Sequence, residues 1–217
     1  MILSMCGLRR GVFISFEGVE GSGKTTQAKA LVDWLSEQKI SHVFLREPGS
    51  TFLGEMIREI LLNPKHREMH PKCEVLLFLA ARSQLTYEKI LPAIKDKKIV
   101  VSDRFTDSTY AYQVYARDLP PRLISIFNRF AAAGIKPDLT FIFDIDIPKA
   151  RQRGTFDDRF ETEDEIYHKK VREGYLRLAH RAKKRIKVLN AEKPVDVLKK
   201  EVQDYVKKFL IRKGYKL

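Results

Sequence analysis

The run Gly18-Val19-Glu20-Gly21-Ser22-Gly23-Lys24-Thr25-Thr26 contains the pattern G-x-x-x-x-G-K-[ST]. Each residue type in it has a task in holding a chain of phosphates. The glycines let the backbone curl until successive N–H groups converge on anionic oxygens. A helix beginning beside Gly23 adds its positive N-terminal end. Lys24 then reaches the β- and γ-phosphates of a nucleoside triphosphate, and the Thr25 hydroxyl ligates Mg²⁺. Asp103 ends the apolar run Ile99-Val100-Val101 and suits a further contact to that metal. Read alone, Asp103 is also compatible with a helix cap or an ion pair to Arg104.

Two arginines, Arg46 and Arg104, follow other strand-like runs. A reaction that brings two anions together needs cations between them, and arginine grips phosphate with two parallel hydrogen bonds. The pair therefore predicts a second phosphate site facing the first. The competing reading of Arg46 is a surface ion pair with Glu47.

These side chains need a scaffold that gathers them. Apolar and β-branched runs predict strands at 12–17, 42–45, 99–101, 139–143 and 186–189. Helical spacing marks 25–38, 52–62, two stretches within 73–94, then 106–115, 121–133 and 195–210. Strands alternate with helices, which argues for an open five-stranded parallel sheet with helices on both faces, an α/β fold in a single domain over 1–217. Ligands of such sheets bind beyond the carboxyl ends of the strands. The phosphate loop, Arg46-Glu47, Asp103-Arg104 and the Asp144–Asp146 stretch each follow a strand.

Length and composition fit one globular unit: 217 residues, 44% hydrophobic and 32% charged. The formal charge of +13 predicts an anionic partner or a lysine-rich solvated surface. Cys6 and Cys73 lack metal-ligand spacing and suit a reducing cytoplasm. No apolar run approaches the ~18 residues that span a bilayer. Residues 1–10 are expected to be a flexible leader.

A phosphate loop alone does not separate kinases from motors, GTPases or transporters. The guanine-reading N-K-x-D is absent from the sequence. The remaining pieces are familiar together: FEGVEGSGKTTQ at 16–27, LREPGST at 45–51, LLFLAARSQL at 76–85, SDRFTDSTYAYQ at 102–113, KPDLTFIFDID at 136–146, DRFE at 158–161 and VREGYLRLA at 171–179. Over nearly its whole length the chain resembles the thymidylate kinases. The resemblance implies a P-loop NTPase fold of the nucleoside monophosphate kinase type, with ATP as donor, dTMP as acceptor and Mg²⁺ as cofactor. It also implies a homodimer, built on helix faces such as 106–115 or 73–94.

The roles it implies are these. Arg46 and Arg104 clamp the monophosphate. Phe78 stacks on thymine, and Arg82, one helical turn on, donates to a thymine carbonyl. Read alone, Phe78 is also compatible with core packing. Ser108, Thr109, Tyr112 and Gln113 line the rest, with Tyr112 excluding a ribose 2′-hydroxyl. Glu20 lies near the sugar 3′-hydroxyl and the metal.

The stretch 151–163, between two helices, reads as a mobile lid whose arginines close over ATP. The loop positions Val19 to Ser22 hold no arginine, so the resemblance is to bacterial members with the basic residue in the lid: Arg153 first, Arg159 second. Two family glycines are replaced, by Ser50 and within Val114-Tyr115-Ala116, and because glycine favours positive φ those loops are expected to run differently. A kinase for another deoxynucleotide or a deoxynucleoside is the alternative. A nucleic-acid-binding ATP switch, suggested by Lys183-Lys184-Arg185 and Lys199-Lys200, is disfavoured because no binding module accompanies it.

Overall fold

The computed structural model describes residues 10–153 and 158–215. Five strands form one parallel sheet: β1 (Val12–Glu17), β2 (His42–Arg46), β3 (Ile99–Asp103), β4 (Leu139–Asp144) and β5 (Ile186–Asn190). Their order is β2-β3-β1-β4-β5. The inner strands β1, β3 and β4 are buried almost throughout, as continuous apolar runs in a parallel sheet must be. Alternation sends Val12, Ile14, Phe16, Ile99 and Val101 into a large core on one face. Phe13 and Val100 enter a second core on the other, with Leu85, Ile90 and Phe105.

Helices cover both faces: α1 (Lys24–Glu37), α2 (Phe52–Leu62), α3 (Pro71–Leu85), α4 (Leu91–Lys95), α5 (Thr106–Thr109), α6 (Pro121–Ala131), α7 (Ile147–Arg153), α8 (Glu165–Arg181) and α9 (Val195–Arg212). The stretch 73–94 is longer than expected. His70 caps α3, Pro71 occupies its first turn, and a π-turn at Thr86–Ile90 leads into α4. The helix expected at 106–115 is a short α5 that widens into a π-turn at Tyr110–Ala116. Such widened turns are frequent at functional sites.

Register brings the functional ends together. Asp103 lies opposite Phe16 on one side and Arg46 on the other. The expected leader, apart from Arg10, lies outside the described residues, as do 154–157 of the expected lid. Arg10 is tied to Asp138 at 2.5 Å.

Candidate active site

The phosphate loop joins β1 to α1. Gly23 precedes the helix at φ 80°, and α1 has neither a side-chain cap nor an acidic residue in its first turn. Its leading N–H groups and positive end are therefore left for an anion. Gly21, at φ 73°, passes so close to α7 that a Cβ would stand 2.1 Å from the Ala150 carbonyl. Val19 is in the core, and Ser22 is buried with its hydroxyl unpartnered. Lys24 is 8% exposed and its Nζ lies 3.4 Å from the Val19 carbonyl. Burial, then Arg104, lowers the lysine's pKa, opposed by Glu20, Asp103 and Glu17. Thr25 and Thr26 are exposed at the head of α1. The Thr25 hydroxyl donates to Asp103 Oδ2 at 2.5 Å, while the buried Oδ1 has no partner. A hydroxyl and a carboxylate with an unused lone pair are the donor set of a Mg²⁺ site completed by phosphates and water. Among the described residues no cluster of three or more His, Cys, Asp or Glu could hold a metal without them.

Arg104 joins this loop to the neighbouring cavity. It follows β3 with φ 72°, a strained backbone for a residue with a Cβ. Its Nη1 donates to the Gly18 carbonyl at 2.9 Å, Tyr175 Oη at 3.0 Å and Ser108 Oγ at 3.3 Å. Its Nη2 meets Glu20 and Tyr112 Oη, and Tyr112 donates to the other Glu20 oxygen at 2.8 Å. Burial alone would raise Glu20; Arg104 and Lys24 overcome it and hold the carboxyl down at about 2.

Behind Arg104 lies Glu17, a carboxylate at the end of a buried strand. It accepts from the Phe105 N–H at 2.8 Å, Ser108 Oγ at 2.6 Å and Tyr175 Oη at 3.2 Å. Burial, reinforced by Asp107, pushes Glu17 up to about 8. Sequence reasoning missed Glu17 and Tyr175, although an acidic residue closing an apolar strand was a usable signal.

The cavity beside the loop is lined by Glu20, Phe78, Arg82, Arg104, Ser108, Thr109, Tyr112 and Gln113, so the structure brings together eight of the residues singled out above. Arg46 is not among them. It is half-exposed and its Nη2 is held by Glu55 at 3.0 Å. The cation that lines the cavity from α2 is Arg58, which donates to the Pro48 carbonyl at 3.0 Å. Arg58 follows Gly54 by one helical turn and precedes Leu61 on the inward face of α2, a pattern that could have found it. Glu47, Pro48, Leu62, Asp158 and Phe160 complete the lining.

Three residues stand in surroundings that differ from expectation. Arg82 was expected to donate to a base carbonyl, but it is 2% exposed and its five N–H groups are all engaged within the protein. Nε and Nη2 grip Glu47 at 2.9 and 2.6 Å, Nη1 serves Thr109 and Asn128, and Nη2 also reaches the Phe105 carbonyl. Arg159 was expected to be a lid cation; it is 3% exposed and paired with Glu74 at 2.8 Å. Ser50 was expected to redirect its loop. Ser50 adopts φ 64° itself, and its hydroxyl accepts the Arg46 N–H at 2.7 Å. The second replaced glycine site forms part of the π-turn, where Tyr115 packs against Gly174.

The arginines of α7 diverge. Arg153 is exposed and donates to the Ala191 carbonyl at 3.1 Å, beyond β5. Arg151 faces the loop side, bordering a small cavity with Val19, Glu20, Glu161 and His168.

A triphosphate loop at the head of α1, facing an arginine-lined cavity across Arg104 on a 2-3-1-4-5 parallel sheet, defines a P-loop kinase of the nucleoside monophosphate kinase type. Residues 16–202 match the family described as thymidylate kinase. The chain is 45% identical over 203 residues to the thymidylate kinase of Thermoanaerobacter sp. (strain X514), covering 93% of this chain and 100% of that one. It is 48% identical over 194 residues to that of Geobacillus sp. (strain WCH70), covering 86% and 91%. A crystal structure of thymidylate kinase from Ehrlichia chaffeensis superposes with a TM-score of 0.70 at 35% identity, over 83% of this chain and 93% of that one. The chain belongs to the thymidylate kinase family.

Proposed function

We propose that this chain transfers the γ-phosphoryl group of ATP to dTMP, giving dTDP for dTTP synthesis. The observation that carries the reading is Arg104: one guanidinium touches the Gly18 carbonyl of the phosphate loop and also lines the adjoining cavity. A cation shared by the two sites is what the joining of two phosphates requires.

The α1 N-terminus, the loop N–H groups and Lys24 hold the ATP phosphates. Thr25 and Asp103 would hold Mg²⁺, which supplies charge neutralisation on the transferring group when bound. Arg104 and Arg58 receive the acceptor phosphate, and Arg46 joins them once released from Glu55. Phe78 and Phe160 form the apolar walls for the base, with Gln113 as the polar contact. Tyr112, fixed between Glu20 and Arg104, blocks a ribose 2′-hydroxyl. The acceptor phosphate is already anionic at neutral pH, so transfer is direct, in line and without a covalent enzyme intermediate. Arg153 on α7 is proposed as the cation for the transferring group, which requires it to leave the Ala191 carbonyl.

A coupled assay with ATP and Mg²⁺ comparing dTMP, dUMP, dCMP and thymidine tests the reading. dTMP is expected to give the highest kcat/KM; thymidine outperforming dTMP would overturn it.

The working unit is proposed to be a cytoplasmic homodimer. The segment 106–116 is largely interior, with Ala111, Tyr112 and Gln113 buried. Open apolar side chains include Phe52 on α2, 84% exposed beside Leu53, Met56 and Ile60, and Phe130 on α6, 81% exposed beside Ile126, with Leu76 and Tyr87 exposed in the stretch 73–94. Exposed apolar patches of this kind mark association sites. Sedimentation should give a dimer that Phe130→Asp weakens. Free, exposed Cys73 suits a reducing compartment, and no described helix is long and apolar enough to cross a membrane.

A further inference from the structure

Phe160 and Asp158 line the cavity but belong to the segment between α7 and α8, not to the sheet or the helices that flank the site. The Phe160 ring lies 5.7 Å from Phe78 and 6.0 Å from Tyr112. Arg159 holds it there. The Arg159 guanidinium stacks 4.4 Å over the Phe160 ring, its Nη1 meets Glu74 Oε2 at 2.8 Å, and its Nε donates to the Leu61 carbonyl at 3.0 Å. Its backbone N–H donates to the Leu62 carbonyl at 2.9 Å.

Glu74, on α3, is fully buried and shared. Its Oε1 accepts Gln113 Nε2 at 2.9 Å, and its Oε2 also accepts Arg117 Nη2 at 3.3 Å. Arg117 reaches Glu163 at 2.5 Å and lies 4.5 Å over the Tyr167 ring. One carboxylate thus ties α3, the π-turn and the segment after α7 together. A carboxylate only accepts, so Gln113 must turn its Nε2 to Glu74 and is left with its carbonyl oxygen and one N–H for the cavity. A buried ion pair adds little net stability over an apolar pair of the same shape. Its effect is to hold specific groups in specific places.

We propose that Arg159 is a positioning residue for the acceptor: clamped on Glu74, it seats Phe160 as a wall of the cavity, while Glu74 sets which face of Gln113 meets the base. The inference rests on reading this cavity as the acceptor site. It replaces a role for Arg159 on the transferring phosphoryl group with one on the acceptor, and the two roles part in the kinetics.

The test is steady-state kinetics of the full chain with ATP, Mg²⁺ and dTMP for Arg159→Met, Glu74→Gln and the double variant. Arg159→Met should raise KM for dTMP about tenfold, with KM for ATP within about twofold and kcat at saturating dTMP within about threefold of wild type. The double variant should lose less than the product of the two single losses, because both act through one pair. Phe160→Leu leaves every ion pair in place and should show the same split, which keeps the test decisive if the charge variants do not fold. A kcat loss of about 100-fold with KM for dTMP unchanged would overturn the proposal in favour of direct action on the phosphoryl group. Equal rises in both KM values, or wild-type KM for Phe160→Leu, would also overturn it. If the wild type prefers another nucleotide acceptor, the identity of the acceptor fails separately, and the same split measured with that acceptor decides the role of Arg159.

Discussion

Replacing Glu17 by glutamine keeps the shape of the side chain and removes a carboxyl that burial and Asp107 push up to about 8, against the hydrogen bonds from Ser108 and Phe105 and the attraction of Arg104. Asp107 is itself held by Arg185 at 2.6 Å. In the unfolded chain Glu17 ionises near 4.5. Between these values the folded chain binds one more proton at this site than the unfolded chain. Its contribution to stability is therefore fully present below pH 4.5 and is lost as pH rises through about 8. The separation of the two values sets an upper limit of about 4 to 5 kcal/mol on that loss. At pH 5 the Glu17→Gln variant is expected to be less stable than wild type by no more than about 1 kcal/mol, since the amide, like the carboxyl that is protonated there, accepts at one position and donates at the other. By pH 9 the difference should have moved by at least ~2 kcal/mol in favour of the variant and changed sign. Urea unfolding of both proteins from pH 5 to 9 at fixed ionic strength measures it. Using the difference between the two chains cancels the titration of the other groups. A difference that stays constant across this range would refute the assignment of an elevated pKa to Glu17, and with it the account of the buried brace behind Arg104.

Other outcomes follow from single contacts. Thr25→Ala removes the hydroxyl beside Asp103; kcat should fall by about 10² to 10³, and the Mg²⁺ concentration for half-maximal activity should rise in a metal titration. Arg82→Lys leaves Glu47, Thr109 and Asn128 short of partners in the interior, with an expected loss of about 3 to 5 kcal/mol in denaturant unfolding. Gly174→Ala would place a Cβ 2.8 Å from the Tyr115 ring; thermal unfolding should show a loss of about 1 to 3 kcal/mol.

The sequence by itself determined what is local. A triphosphate loop is a contiguous string whose glycines, lysine and threonine act through their own backbone turn and the helix that follows, so Gly18 to Thr26 could be read directly. Strand and helix periodicity depends on near neighbours, which is why the five strands were found close to their observed ends. The acceptor cavity was legible in its types of residue: Phe78 and Arg82 share one helix face, and Arg104 follows a strand. Tertiary structure decided which arginine does what. Arg46, Arg82, Arg104, Arg117, Arg153 and Arg159 are alike in sequence, but each is governed by the acceptor oxygen it meets across the fold. Glu55 holds Arg46 aside and Glu47 absorbs Arg82. Glu74 draws Arg159 into the interior, while Arg104 bridges the phosphate loop and the cavity. Those partners lie from 9 to 86 residues away, and guanidinium groups are sorted by desolvation and pairing that only the assembled fold supplies.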